Sequence, residues 1–214
     1  MRDYDAITLD MGGTLVDFGF DVAVHMPPGM PTGFLAALSR HRRVAAENGH
    51  EVDLCAVMRE AGADNPEATT AALIEREIGT MSVYPETLET LRTLRERGYR
   101  LVILSNVWTP GDAYASRLHE LGVWELLDGA VWSFETGYRK PNPEIFRRVL
   151  EVTGSEAART AHVGDKRTRD VKGAKDSGFC AIHVDRGPHP DDRGEDAEPD
   201  HTIPSLAGLL ELFP

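Results

Sequence analysis

An α/β protein with a parallel sheet and an inserted helical lid is what this 214-residue chain predicts, on three observations. Short apolar runs end at polar residues, amphipathic stretches lie between them, and one long segment interrupts the alternation. The first run, Tyr4-Asp5-Ala6-Ile7-Thr8-Leu9, alternates in polarity and ends at Asp10. From about residue 18 to 82, after Met26-Pro27-Pro28-Gly29-Met30-Pro31, the pattern is helical without a clear strand. Helices are expected over about 33–48, 51–62 and 66–79, with Gly49, Gly62 and Gly79 as stops. Beyond residue 82, the strand-like runs 100–104, 160–163 and 179–184 alternate with amphipathic stretches at 85–97, 111–121, 142–153 and 167–177. Leu88, Leu91 and Leu94, and likewise Ile145, Val149 and Val152, recur at helical spacing. Repeated β-α units call for a parallel sheet covered on both faces, with chemistry at the carboxyl ends of its strands. The expected division is therefore a core of residues 1–17 and 83–214 and a helical cap of 18–82.

Composition narrows the function classes. A formal net charge of -12 argues against broad nucleic-acid or anionic-membrane binding, both of which favour a basic face. No stretch has the length of a membrane span or the pattern of a secretory signal, so a soluble, cytoplasmic protein is expected. Cys55 and Cys180 are the only cysteines, too few and too far apart for a disulfide framework or a thiolate zinc site. The acidic, proline-rich segment from Asp185 to Asp200 reads as a solvated loop. Oligomeric state is not encoded in any recognisable pattern.

Four segments carry candidate chemistry. Asp10-Met11-Gly12-Gly13-Thr14 places a carboxylate at a strand tip before glycines that allow a tight turn, a geometry suited to nucleophilic attack on phosphorus. Ser105-Asn106 closes the run Leu101-Val102-Ile103-Leu104 and presents a hydroxyl and an amide. Lys140, the first lysine of the chain, precedes Pro141-Asn142-Pro143 at a helix start, where it can offset the charge of Asp10 and a phosphoryl group. His162-Val163-Gly164-Asp165 continues to Asp170, and two acids five apart after a strand fit Mg2+, which takes oxygen ligands and shares itself between carboxylates and phosphate. Asp10 and Asp165 are the expected ligands. Asp170 fits direct binding, binding through water, or orientation of Lys140.

In this order and spacing the segments resemble the haloacid dehalogenase-like hydrolase superfamily over the whole chain. The resemblance implies a Rossmann-like core with a helical cap that closes over small substrates. It implies phosphorylation of Asp10, with Mg2+ held by Asp10, Gly12 and Asp165. Phosphoryl oxygens would be bound by Thr14, Ser105 and Asn106, and charge stabilised by Lys140. A Mg2+-dependent hydrolase acting on a small phosphate ester or anhydride is the expected activity, and a phosphorylated small molecule the expected partner.

Position 12 departs from the phosphatase pattern. Family phosphatases carry an Asp two residues after the nucleophile to protonate the leaving group and later activate water, and this chain has Gly12. Three accounts are open: a leaving group of low basicity, an acid from the cap with His25 as candidate, or loss of turnover. Family phosphonoacetaldehyde hydrolases also have a small residue there, but they need a cap lysine, and residues 18–82 contain none. Dehalogenases resemble Asp-x-Tyr at the first motif and do without the metal, whereas Asp165 and Asp170 are both present. A non-catalytic phosphate sensor and a phosphotransferase or mutase are the competing readings. Phe18 to Pro31 and Trp108 are candidate substrate contacts, and the arginines Arg40, Arg42, Arg43, Arg59 and Arg76 are expected on a solvated helical face.

Overall fold

The computed structural model describes residues 3–19, 26–187 and 197–214. His25 lies outside the described residues, as does the middle of the Asp185 to Asp200 segment. In chain order, β1 (Ala6–Leu9) and β2 (Val16–Asp17) precede three helices, α1 (Phe34–Asn48), α2 (Leu54–Glu60) and α3 (Pro66–Gly79), and then β3 (Ser82–Val83). There follow α4 (Thr87–Glu96), β4 (Arg100–Ser105), α5 (Gly111–Glu120), β5 (Gly129–Trp132), α6 (Ser133–Thr136) and α7 (Pro143–Thr153). The last elements are β6 (Thr160–Gly164), α8 (Lys172–Asp176), β7 (Cys180–Val184), β8 (His201–Ile203) and α9 (Leu209–Leu212).

The main sheet runs β5-β4-β1-β6-β7-β8 with every neighbouring pair parallel. Such a sheet needs cover on both faces, and the burial of β1, β4 and β6 meets that need. Ile7, Leu9, Leu101 and Ile103 pack on one side with Leu91 and Leu94 of α4, while Val102 and Leu104 pack on the other with Ile145, Phe146 and Val149 of α7. The two-residue period of the strands sorts alternate side chains between these layers. From β1 the order runs to β4 and β5 on one side and to β6, β7 and β8 on the other. A crevice at that reversal, outside the strand ends, is where open α/β sheets bind ligands. Asp10 is the first residue past β1, so the fold puts it there.

Two edge strands, β5 and β8, fall outside the sequence expectation. β5 has four residues and opens on Gly129, and β8 has three, so neither offers an alternation long enough to read. The stretch 167–177 also differs from the single helix expected. Residues 167–171 form a π-helical turn in which Lys166 O accepts from the amides of Arg169, Asp170 and Val171, and α8 continues from it.

Between β2 and β3 the three helices build their own apolar cluster, with Phe34, Leu38, Leu54, Val57, Met58 and Leu73 buried together. α1 ends at Gly49 in the left-handed conformation (φ 67°). α2 starts later than the spacing suggested, at Leu54, because Asp53 caps it by accepting from Ala56 N. Asn65 caps α3 in the same way and Pro66 occupies its first turn. The strands at the two ends of the insertion pair antiparallel, Val16 with Val83 and Asp17 with Ser82. The α1–α2 loop also meets the segment before Lys140: Arg139 N donates to Gly49 O at 3.0 Å, Glu51 N to Gly137 O at 3.3 Å, and the His50 ring stacks on Tyr138 with centroids 5.4 Å apart. Among the described residues no helix is long and apolar enough to cross a membrane.

Candidate active site

Asp10 is anchored by its own main chain, its amide donating to Val163 O at 2.8 Å. The turn that follows uses Gly13 at φ 76°, where a Cβ would collide with the Asp165 carboxylate. Gly12 is tight for a different reason: a Cβ there would lie 2.8 Å from an edge carbon of the Phe18 ring. The space in which a side chain at position 12 would stand is thus held by an aromatic ring. Thr14 departs from the expected phosphate contact. The same turn directs it inward, where it is fully buried, and its hydroxyl finds no partner among the described residues.

Lys140 is brought to Asp10 across the sheet. Asn142 caps α7, accepting from Glu144 N at 2.9 Å, and Pro143 starts that helix, which fixes the turn carrying the lysine. The Asn106 side chain holds the same turn from the other side, its Oδ1 accepting from Lys140 N at 2.8 Å and its Nδ2 donating to Lys140 O at 3.2 Å. That amide is committed to the lysine's backbone, which takes it away from the phosphate contact expected of it. The Lys140 ammonium, 2% exposed, donates to Asp10 Oδ1 at 2.7 Å and to Leu104 O at 2.6 Å, and stands 2.6 Å from Asp170 Oδ1. Its three donors are thereby used. Burial alone would lower its pKa, but the Asp10 and Asp170 carboxylates outweigh burial and hold it above the ordinary value.

Asp170 is the most enclosed acid of the group. Its Oδ2 accepts from Lys166 N at 3.0 Å, an amide freed by the π-helical turn, and its Oδ1 faces both Lys140 and His162 Nε2, the latter at 3.2 Å. Although burial opposes ionisation, Lys140 and then His162 keep its carboxyl far below the usual range. Of the three roles open to Asp170 from sequence, these contacts favour orienting Lys140. His162 is pushed down by burial and is therefore neutral near pH 7. Facing a carboxylate it carries its proton on Nε2, and Nδ1, 2.8 Å from Thr8 Oγ1, accepts from that hydroxyl. No sequence signal marked Thr8 or His162 beyond their place on neighbouring strands.

Asp10, Asp165 and Asp170 offer carboxylate oxygens within 4.8 Å of one another. Asp165 carries the cost of that crowding. Burial first, then the charges of Asp10 and Asp170, push its pKa up to about 7, despite the nearby Lys166 ammonium. Its Oδ1 is buried without a partner among the described residues. An orphaned oxygen beside two further carboxylates is a donor set that suits a hard divalent cation.

These groups floor a cleft of roughly 440 Å³. Ser105, at the tip of β4, and Trp108 line it as expected, as does Gly12. Of the cap arginines only Arg42 does, its guanidinium 4.9 Å from the centre of the Trp108 ring. Arg40 and Arg59 pair at the surface with Glu60 and Glu67. Sequence reasoning missed Arg139, Lys166, Arg169, Tyr114 and Glu77, which complete the walls. Glu77 had a signal. It sits four residues after buried Leu73, on the apolar stripe of α3 where a carboxylate is out of place.

Comparison with known proteins points to one family. The haloacid dehalogenase-like hydrolase family model matches residues 4–178. The chain is 30% identical over 164 residues to glyceraldehyde 3-phosphate phosphatase of Methanopyrus kandleri, covering 73% of this chain and 69% of that protein. It is 34% identical over 162 residues to phosphoserine phosphatase of Thermus thermophilus, covering 73% of this chain and 62% of the relative. A solved structure of a phosphatase of the same family from Thermococcus onnurineus superposes with a TM-score of 0.72 at 25% identity, covering 97% of each chain.

Proposed function

The chain belongs to the haloacid dehalogenase-like hydrolases, and on that premise we propose that it is a Mg2+-dependent phosphatase of small phosphate esters working through an aspartyl phosphate at Asp10. The observation that carries the reading is the Lys140 ammonium, held between Asp10 at 2.7 Å and Asp170 at 2.6 Å at the switch point of the sheet. A buried cation saturated by three acceptors fixes the Asp10 carboxylate in one orientation and leaves its Oδ2 as the oxygen not engaged by the lysine. Such pre-organisation is what a nucleophile needs and a mere binding site does not.

Asp10 and Asp165, with the main chain of Gly12, would hold Mg2+, and Asp170 would keep Lys140 in place. When bound, the ion supplies charge neutralisation for the phosphoryl oxygens and draws Asp165 into its ionised form. The residues of the chain do the rest. Asp10 attacks phosphorus in line, Ser105 binds a phosphoryl oxygen from the tip of β4, and Lys140 balances the charge that Asp10 and the phosphoryl group bring together. The helices of residues 18–82 would act as a cap, with Arg42 and Trp108 bordering the substrate. The relatives named for glyceraldehyde 3-phosphate and phosphoserine support small phosphate esters as the substrate class.

The test is phosphate release from a panel of small phosphate esters and anhydrides with and without Mg2+, together with trapping of a beryllofluoride adduct at Asp10. Mg2+-dependent release with an adduct at Asp10 is expected. Absence of both, in folded protein, would leave a phosphate-binding module instead of an enzyme.

A further inference from the structure

Gly12 leaves an in-line displacement without a proton for its departing oxygen, and the Phe18 ring stands where a side chain at that position would begin and would have to shift to admit one. With Asp10 on the floor at the strand ends, the leaving oxygen stands on the far side of phosphorus, the side covered by the inserted helices. Among the described residues, one carboxyl of the cleft lies on those helices. Glu77, in the last turn of α3, lines the same cleft as Asp10, Gly12 and Phe18, and its Oε2 is sealed from solvent with no hydrogen-bond partner among the described residues. The other cleft carboxyls, Asp10, Asp165 and Asp170, belong to the ion cluster.

The groups that face Glu77 come from two helices, α5 and α1. Tyr114 of α5 stands beside it and meets the Phe18 ring edge-on at 6.5 Å, and Arg42 of α1 is the nearby cation. Burial of Glu77 outweighs the Tyr114 hydroxyl and the Arg42 charge and pushes its pKa up to about 7. Tyr114 itself is driven well above its ordinary value by burial and by the Glu77 charge, so it stays protonated.

We propose that Glu77 is the general acid and base of this enzyme, supplied from the inserted helices in place of the side chain absent at Gly12. The inference rests on the phosphatase reading above. As the Asp10 oxygen bonds to phosphorus and the ester P–O bond breaks, the Glu77 carboxyl gives its proton to the departing oxygen, which leaves as the alcohol. A water then bonds to phosphorus as the Asp10–phosphorus bond breaks, its proton returns to the Glu77 carboxylate, and inorganic phosphate is released.

The experiment compares kcat/KM near pH 7 for a simple alkyl phosphate, whose alkoxide needs a proton, and p-nitrophenyl phosphate, whose phenolate scarcely does. Glu77→Gln is expected to lower the alkyl ester value by about 100-fold or more and the aryl ester value by only about two- to fivefold. Glu77→Asp, which keeps a carboxyl, should retain alkyl ester activity at least about tenfold above Glu77→Gln, and a beryllofluoride adduct in both variants reports an intact Asp10 site. A slow second half in Glu77→Gln would show as a burst of nitrophenol before the steady state. Equal losses on the two esters, or no loss on either, would overturn the role of Glu77 while leaving Asp10 untouched. A wild-type protein inactive on both esters would remove the phosphatase reading and Glu77 with it.

Discussion

The floor and the roof of the cleft are built on opposite terms. On the floor, charges are close, buried and matched: Lys140 sits between two carboxylates, Asp170 has both oxygens occupied, and even the neutral His162 is tied to Thr8. On the roof, Glu77 is buried without a partner for Oε2, and Arg42 lies over an aromatic ring. The difference teaches where each kind of chemistry can live. A nucleophile must be held still, which a saturated ion network on parallel strands does. A proton carrier must be able to exist in two charge states, which an under-satisfied carboxyl does.

That contrast can be broken at its strongest point first. Asp10→Asn is expected to lower phosphate release by on the order of 10⁴-fold or more with little change in melting temperature, measured by initial rates and thermal unfolding. Lys140→Met strands two buried carboxylates and should cost both activity, by roughly 100-fold, and stability, by about 3–5 kcal/mol in a denaturant titration. Roof substitutions should not unfold the protein in this way; a comparable loss of stability in Glu77→Gln would erase the distinction. Gly12→Asp alone should fail to raise alkyl phosphate hydrolysis, because Phe18 occupies its path. Combined with Phe18→Ala it should raise that rate about tenfold over Phe18→Ala alone, and the same gain without the second substitution would show that the ring yields.

The smallest effect is a pH dependence. The folded protein holds a proton on Glu77 up to about pH 7, whereas the ordinary value is 4.5. In that window the native state binds more protons than the unfolded one, so stability falls as pH rises and levels off above it. Melting curves of wild type and Glu77→Gln should therefore diverge by several degrees across the window, the wild type losing more on the alkaline side. Parallel curves would mean that Glu77 titrates normally.

The floor was legible in the sequence because its parts sit at strand ends and helix starts, where spacing fixes position. Asp10, Ser105, Lys140, Asp165 and Asp170 come together through β1, β4, α7 and β6, whose patterns are local. The roof was less so, since which face of α1 or α3 turns to the cleft is settled by tertiary packing. The sequence groups Arg42 with surface arginines and singles out nothing at Glu77, although its spacing from Leu73 places it on the buried stripe. Thr14 shows the reverse error. Its place after the nucleophile suggested a phosphate contact, but the turn at Gly13 buries it. The edge strand β5 was lost for want of length.

The main-chain bonds that join Gly49 and Glu51 to Arg139 and Gly137 fall one to three residues before Lys140 along the chain. Swinging the inserted helices away at that edge would exchange both bonds for bonds to water, at a net cost of roughly 0.5–1.5 kcal/mol each. If the proposed cap opens there, those bonds would weight the population toward the closed form by about fivefold to more than a hundredfold. Under the proposed reading, the same short stretch of backbone would both restrain access to the cleft and carry the cation at its floor.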